Sequence, residues 1–466
     1  MTQERPQTLG GLRDSGYQVL PIREEMRQNL IRKLRHNENL FPGILGYQET
    51  VIPQLENAIL AGQDLILLGE RGQAKTRIIR NLIGLLDEWT PILKGTEIPE
   101  NPFAPITAHA KSLLKDNGDQ TPILWLHRDQ RYGEKLATPD ITIADLIGEV
   151  DPIKVAEGRY LSDALTLHYG LVPQTNRGIF AINELPDLAE RIQVGLFNVM
   201  EEKDIQIRGH KIRLDLDVLI VATANPEDYT NRGRIITPLK DRYGAQIRTH
   251  YPPSIDNEIG IMENECNTFS LEGFATNVPR YMKEIVAEIT HTARRSPDIN
   301  QRSGVSVRAS IYNYEILLAN ALRRAIHLQE SDIVPRLSDL PFVIPSLQGK
   351  VELEVIDDGK EEQVLEQLFE TAILTIFDRN FTLEEVMPIA LAFQTEMAVE
   401  TGDSLHPGFY EDIIQQIEGL ETAVDKIAPG DHQGLRASAV EFILEGLHLH
   451  EQLNKDKLQG QIIYRG

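Results

Sequence analysis

The chain has 466 residues, 41% of them apolar and 25% charged, with a net charge of −23. That length gives room for roughly two to four domains with a large core, and the charge argues against a protein coated over its whole surface in nucleic acid. The single cysteine, Cys266, excludes an internal disulfide framework and disfavours a cysteine-based metal site. No apolar run reaches the length of a membrane span and the N-terminus shows no signal-peptide core, so a cytoplasmic protein is expected.

Residues 1–42 are polar, with one helical stretch over Arg23–Leu34, and read as an N-terminal extension. From Gly43 onward helices alternate with short strands: Asp64–Leu68, Pro122–Leu126, Gly178–Ile182, Val218–Thr223 and Gln246–His250. Four of these are continuous apolar runs, as buried parallel strands require, and the more polar Gln246–His250 suits an edge. Helix-length spacers between them predict a parallel α/β sheet.

Directly after the first strand comes Gly69-Glu-Arg-Gly-Gln-Ala-Lys-Thr76, followed by the helical spacing of Arg77–Ile83. A strand, a glycine-containing turn and a Lys-Thr helix start make a phosphate-binding loop. Backbone N–H groups point inward, the lysine reaches the β/γ-phosphates, and the hydroxyl takes Mg²⁺. Glycine is usual at the position held by Ala74. If that position needs positive φ, alanine costs about 1–2 kcal/mol.

Two insertions interrupt the core pattern. Trp89–Gly118 reads as a surface excursion, and Asp140–Thr175 as a second one with a hairpin tip at Glu157-Gly158. Asp204–Leu214 reads as a β-hairpin around Gly209, carrying Arg208, His210, Lys211 and Arg213. These basic residues suit either a solvated hairpin end or a contact surface.

The third strand ends in Asn183-Glu184, where phosphate-loop ATPases place Asp-Glu to hold Mg²⁺ waters and polarise the attacking water. Asn183 could equally cap the next helix. The fourth strand ends in Asn225-Pro226, which could orient that water or form a turn. Ligands bind at the carboxyl ends of parallel strands, and Gly69, Glu184 and Asn225 fall together there. Arg242 precedes the last strand, and Arg308 follows Ser306 at a helix start. Each suits either a phosphate or a neighbouring carboxylate.

Beyond Pro252 helices dominate: Asn257–Glu265, Arg280–Ala293, Val307–Leu328, Glu361–Phe377, Leu383–Glu400, Tyr410–Ile427 and Ser438–Leu453. Ser331–Lys360 reads as a linker with a short strand at Val351–Ile356.

These stretches together resemble an AAA+ ATPase of the group containing the magnesium-chelatase I subunit and the MoxR-type ATPases. The matching pieces are Ile44-Leu-Gly-Tyr-Gln48, Gly69–Thr76, Asn176–Glu184, Ala222–Pro226 and Pro238–Gly244, spread over about residues 40–330 in family order. The resemblance implies an α/β phosphate-loop NTPase core with a parallel five-stranded sheet of order 5-1-4-3-2. Its divisions would be 1–42 for the extension, 43–255 for the nucleotide-binding domain, 256–335 for an α-helical lid and 336–466 for a further helical region.

It also assigns expected roles. Gly69, Glu70, Arg71, Gly72, Gln73, Ala74, Lys75 and Thr76 would bind ATP, with Ile44 and Leu45 lining the adenine pocket. Thr76 and Asn183 would serve Mg²⁺, Glu184 would act as base and Asn225 as sensor 1. Arg242 would be the finger donated to a neighbouring subunit and Arg308 the sensor 2 arginine. The expected function is ATP hydrolysis that remodels a partner, often a protein with a von Willebrand A-type domain, in a homo-oligomeric ring of six subunits. The alternatives are a nucleotide-binding scaffold with little hydrolysis, motivated by Ala74 and Asn183, and a DNA-linked transcription activator, motivated by the basic hairpin. The net charge and the lack of a helix-turn-helix or zinc module count against nucleic acid.

Overall fold

The computed structural model describes residues 5–466 except 151–166, 202–203, 208–209, 226–232, 268–273, 302, 355–359, 396 and 459–460. The chain divides into two compact units, Met1–His250 and Tyr251–Gly466.

The strands of the first unit are β1 (Leu65–Leu68), β2 (Trp89–Leu93), β3 (Ile123–His127), β4 (Tyr132–Leu136), β5 (Gly148–Val150), β6 (Leu167–Tyr169), β7 (Gly178–Asn183), β8 (Asp204–Ile207), β9 (His210–Arg213), β10 (Val218–Ala224) and β11 (Ala245–Arg248). Five of them form one sheet of order β11-β1-β10-β7-β4. Every neighbouring pair in it is parallel. The order is the expected 5-1-4-3-2. β7 and β10 are buried along their whole length, which explains their unbroken apolar runs.

The second strand of that order is not the one expected. Ile123–His127 pairs antiparallel with Trp89–Leu93, outside the sheet. The sheet edge is instead Tyr132–Leu136, whose polar residues disguise it. Trp89–Gly118 is likewise more than a surface excursion. It contributes β2, with Ile92 and Leu93 buried, and the helix Ala108–Asn117. The β8/β9 hairpin forms as expected, whereas Glu157, Gly158, Arg208 and Gly209 lie outside the described residues.

The polar N-terminal segment packs into this unit. Its helix Ile22–Arg35 buries Ile22, Met26 and Leu30 in one cluster with Leu65, Leu67 and Val221. Glu25 meets Arg131 through two hydrogen bonds of 2.6 and 2.7 Å, and both side chains are shielded from solvent. Breaking such a pair leaves an uncompensated buried charge, so this helix is fixed to the sheet by more than apolar contact.

In the second unit one hydrophobic core takes in residues from Ile259 to Tyr464. Its helices include Ile255–Glu265, Arg280–Ala293, Arg308–Leu328, Lys360–Asn380 and Gln433–Leu449. Two short strands, β12 (Ala275–Thr276) and β13 (Asp332–Ile333), pair in parallel, and β14 (Ala398–Thr401), β15 (Asn454–Leu458) and β16 (Gln461–Arg465) form an antiparallel sheet. The expected helix Leu383–Glu400 therefore stops at Ala392, because the chain turns to pair β14 with β16. Tyr410–Ile427 is two helices, Pro407–Gln416 and Leu420–Ile427, parted at Gly419, whose φ of 83° no helix accommodates. At Val351–Ile356 the described part shows only a single bridge, Leu353 to Ile299.

Glu258 is a fully buried, heavily satisfied carboxylate of this unit. It accepts from His291 at 3.0 Å, from Arg294 at 2.7 and 3.0 Å and from Ser310 at 2.6 Å, with no side-chain exposure. Burial pushes its pKa up, but the His291, Arg294 and Ser310 contacts outweigh burial and hold it below the usual carboxylate range. A depressed folded pKa stabilises above the unfolded value, and that stabilisation is lost as pH falls through the folded one. Glu258→Gln should cost about 3–5 kcal/mol at pH 7. In thermal unfolding, its deficit relative to the parent should shrink as the pH drops below about 4.5. A deficit that stays constant with pH would contradict an ionic role.

Candidate nucleotide-binding site

The loop after β1 is shaped by three backbone requirements. A Cβ at Gly69 would run into the Thr249 hydroxyl and the Gln73 side chain, so only glycine fits. Gly72 has φ 77°, and Ala74 sits in the left-handed region at φ 55°, ψ 15°. The condition set by the sequence is met: alanine occupies a position that favours glycine. Tyr47 pins the loop from outside, its hydroxyl donating to the carbonyls of Gln73 (3.0 Å) and His250 (2.7 Å). Burial pushes the Tyr47 phenol up to about 12, so it remains a donor at neutral pH.

Helix Lys75–Asn81 begins directly after Ala74. Lys75 is 8% exposed, and its ammonium donates to the carbonyls of Gly69 and Glu70 (2.7 Å for the latter) and to Asn225 Oδ1 at 2.7 Å. The other end of the Asn225 amide donates to Glu184 Oε2 at 2.6 Å. Lys75, Asn225 and Glu184 thus form one hydrogen-bonded chain across three strand ends. Glu184 itself has φ 59°, and its N–H donates to Thr223 Oγ1 at 3.1 Å.

Beside this chain lies a second group. Thr76 Oγ1 and Thr223 Oγ1 both donate to Asn183 Oδ1, at 3.4 and 3.3 Å. The Asn183 Nδ2 end donates to Glu134 Oε1 at 2.7 Å. Glu134 is further held by Arg80 through two bonds of 2.9 Å and by the Tyr132 hydroxyl at 3.0 Å. Burial raises the Glu134 pKa, but the bonds from Arg80 and Tyr132 overcome it and lower the net value. Thr76 hydroxyl and Asn183 amide oxygen are hard, neutral donors side by side, a set that suits Mg²⁺ retaining several of its waters.

The remaining expected residues fall elsewhere. Ile44 is buried in the cluster that also holds Tyr47 and Ile78, and Leu45 is half-buried beside it in sequence. Glu70 is half-buried and Arg71 exposed on the loop. Arg242 ends the helix Thr237–Arg242 and pairs with Glu201 at 2.8 Å, over the ring of Phe197. Arg308, in the second unit, is exposed at the first turn of its helix, where Ser306 Oγ accepts from its N–H at 3.2 Å. Tyr47, Thr223, Arg80 and Glu134 join the site beyond the residues expected from sequence. Tyr47 and Thr223 lie in stretches that carry the resemblance and Arg80 in the helix after the loop, whereas Glu134 belongs to no motif.

Residues 155–240, which contain Asn183, Glu184 and Asn225, match the family model described as the sigma-54 interaction domain. The chain is similar to AAA+ ATPases of the magnesium-chelatase type. It is 22% identical to the magnesium-chelatase subunit ChlI-1 of Arabidopsis thaliana, over 48% of this chain and 51% of that protein. It is 23% identical to the uncharacterised protein YeaC of Bacillus subtilis, over 45% of this chain and 66% of that protein. The matches thus span about half to two thirds of the length of these relatives. A solved structure of the BchI–BchD complex of magnesium chelatase aligns over 70% of this chain and 98% of that chain, at 17% identity and a TM-score of 0.36.

The strain at Ala74 in this AAA+ loop is directly testable. Ala74→Gly removes a left-handed penalty of about 1–2 kcal/mol and adds about 0.4–1 kcal/mol of unfolded-chain entropy. The net gain of about 1 kcal/mol should raise the melting temperature of the first unit by about 2–4 °C. No rise in a calorimetric scan would mean that the loop is not strained at this residue.

Proposed function

We propose that this chain binds ATP with Mg²⁺ and hydrolyses it, and that it uses the cycle to remodel a partner protein within a cytoplasmic ring of six subunits. The observation that carries the reading is the Lys75–Asn225–Glu184 chain, which joins a phosphate-loop cation to a carboxylate through a single amide. Lys75 holds the β- and γ-phosphates. Glu184 takes a proton from the attacking water as its oxygen bonds to the γ-phosphorus, and the bond from that phosphorus to the β-bridging oxygen breaks. Asn225 fixes the Glu184 carboxylate so that it faces the same loop as Lys75. Thr76 and Asn183 are the residues that would hold Mg²⁺ and its waters, and the bound ion would neutralise phosphate charge. Arg242 would act on the neighbouring subunit's nucleotide, and Arg308 on the nucleotide of its own chain. The partner is proposed, from the resemblance alone, to carry a von Willebrand A-type domain.

A scaffold that binds nucleotide with little turnover is the second reading, favoured by the strained Ala74 and the uncharged Asn183. Phosphate release separates the two. Lys75→Ala should abolish binding of a fluorescent ATP analogue. Glu184→Gln should retain binding and lose about 10²–10⁴-fold in turnover. A parent protein that binds but releases no phosphate would establish the scaffold.

The subunit-crossing role of Arg242 has its own test. Its pairing with Glu201 is partly exposed, so its loss should leave the fold intact. Arg242→Ala and Glu184→Gln subunits, each inactive alone, should recover hydrolysis when mixed, because some interfaces then join an intact Glu184 site to an intact Arg242. No recovery in mixtures shown to co-assemble would remove Arg242 from that role.

A further inference from the structure

The uncharged residue at position 183 is matched by a charge on the adjacent strand. Register pairs Ala181 with Glu134 and Asn183 with Leu136, so Glu134 stands on β4 two residues short of the strand end, next to the end of β7. Its carboxylate accepts from Asn183 Nδ2 at 2.7 Å. An amide has one donor end and one acceptor end, and a carboxylate can face only the donor. Glu134 therefore turns Asn183 Oδ1 the other way, toward the Thr76 and Thr223 hydroxyls. Arg80, one helical turn after Thr76, fixes Glu134 in turn with two parallel bonds. The four side chains Thr76, Asn183, Glu134 and Arg80 form one hydrogen-bonded series between the loop helix and two strands.

We propose that Glu134 is a positioning residue for the Thr76–Asn183 metal site, supplying from β4 a carboxylate, itself paired with Arg80, where position 183 has none, and selecting the orientation of its amide. The inference rests on the nucleotide-binding reading above. It also explains why asparagine stands at 183. An aspartate there would place two carboxylates in hydrogen-bond contact, and two like charges so close cannot both stay ionised. Asparagine at 183 and glutamate at 134 are thus one choice rather than two.

The experiment is a double-mutant cycle with Asn183→Asp and Glu134→Gln, and Glu134→Ala as a third variant. Two readouts are used: thermal unfolding without nucleotide, and the Mg²⁺ concentration that half-saturates the Mg²⁺-dependent binding of a fluorescent ATP analogue. Affinity in EDTA serves as the reference. Glu134→Gln keeps an acceptor but removes the charge, and should raise the Mg²⁺ requirement about tenfold with the EDTA affinity unchanged. Glu134→Ala, which also frees the amide, should raise it at least as much. Asn183→Asp alone should lower the melting temperature. The double variant should recover the melting temperature and return the Mg²⁺ requirement to the parental value or below.

An unchanged Mg²⁺ requirement in Glu134→Gln would overturn the proposal, as would additive effects of the two substitutions on melting. Loss of nucleotide binding in EDTA as well would show a damaged fold at Glu134 and also count against it. If the unaltered protein binds no nucleotide, the underlying reading fails instead, while the melting cycle still reports whether Glu134 and position 183 are coupled.

Discussion

A buried ammonium group sets the terms for this site. Lys75 is almost fully withdrawn from solvent, and such a cation persists only where acceptors replace its lost hydration. Those acceptors come from the loop after β1 and from the end of β10. They meet because β1 and β10 are adjacent and parallel, with Leu68 opposite Ala224 and the Gly69 N–H donating to the Ala224 carbonyl at 3.1 Å. Polar contacts then continue in sheet order. Asn225, after β10, reaches Glu184 after β7, and Asn183 on β7 reaches Glu134 on β4. The hydrogen-bonded chain follows the strand order because only neighbouring strand ends are within reach of one another.

What the sequence could show depended on how each segment is buried. β1, β7 and β10 are covered on both faces, so they appear as unbroken apolar runs, and the residues that follow them are legible as strand-end residues. β4 is an edge strand of Tyr, Gly, Glu, Lys and Leu, with no run and no clean alternation. It was missed, and Glu134 with it. Gly133 shows why the strand still fits there: a side chain at that position would meet Thr175 and Phe180. The antiparallel sheet of the second unit escaped for a related reason. Asn454–Leu458 is polar, both it and Gln461–Arg465 are short, and the pairing of Gln461–Arg465 with Ala398–Thr401 joins segments distant in the chain, a constraint that local pattern cannot carry. The helix Ile22–Arg35 was legible, but its attachment was not, since the Glu25–Arg131 pair joins residues 106 apart.

Arg242 illustrates a different limit. Its position before the last strand admits either a phosphate or a carboxylate as partner. Within the chain it finds the carboxylate, Glu201. Such a pairing is compatible with a role across a subunit boundary, because a half-exposed ion pair is worth little and can be exchanged for another anion at small cost.

The two departures from the common phosphate-loop pattern differ in physical kind. At Ala74 the penalty is conformational and nothing around the residue removes it, although the Tyr47 bond to the next carbonyl upstream, that of Gln73, holds the backbone in place. At Asn183 the change is electrostatic and has a counterpart in Glu134. Glu184 adds a third special conformation, and its purpose is geometric. In a regular strand, consecutive side chains point to opposite faces. Asn183 and Glu184 are consecutive, yet both reach the same helix start, the first by bonding Thr76 and the second, through Asn225, Lys75. The left-handed backbone at Glu184 breaks the alternation at the strand's last step. Thr223 secures the break by accepting from the Glu184 N–H while donating to Asn183 Oδ1. Strain of roughly 1–3 kcal/mol at such a residue persists only where its surroundings over-determine it. Here β7 and β10, buried throughout, supply the rigid frame, and the same hydroxyl that fixes the Glu184 backbone also fixes the amide beside it.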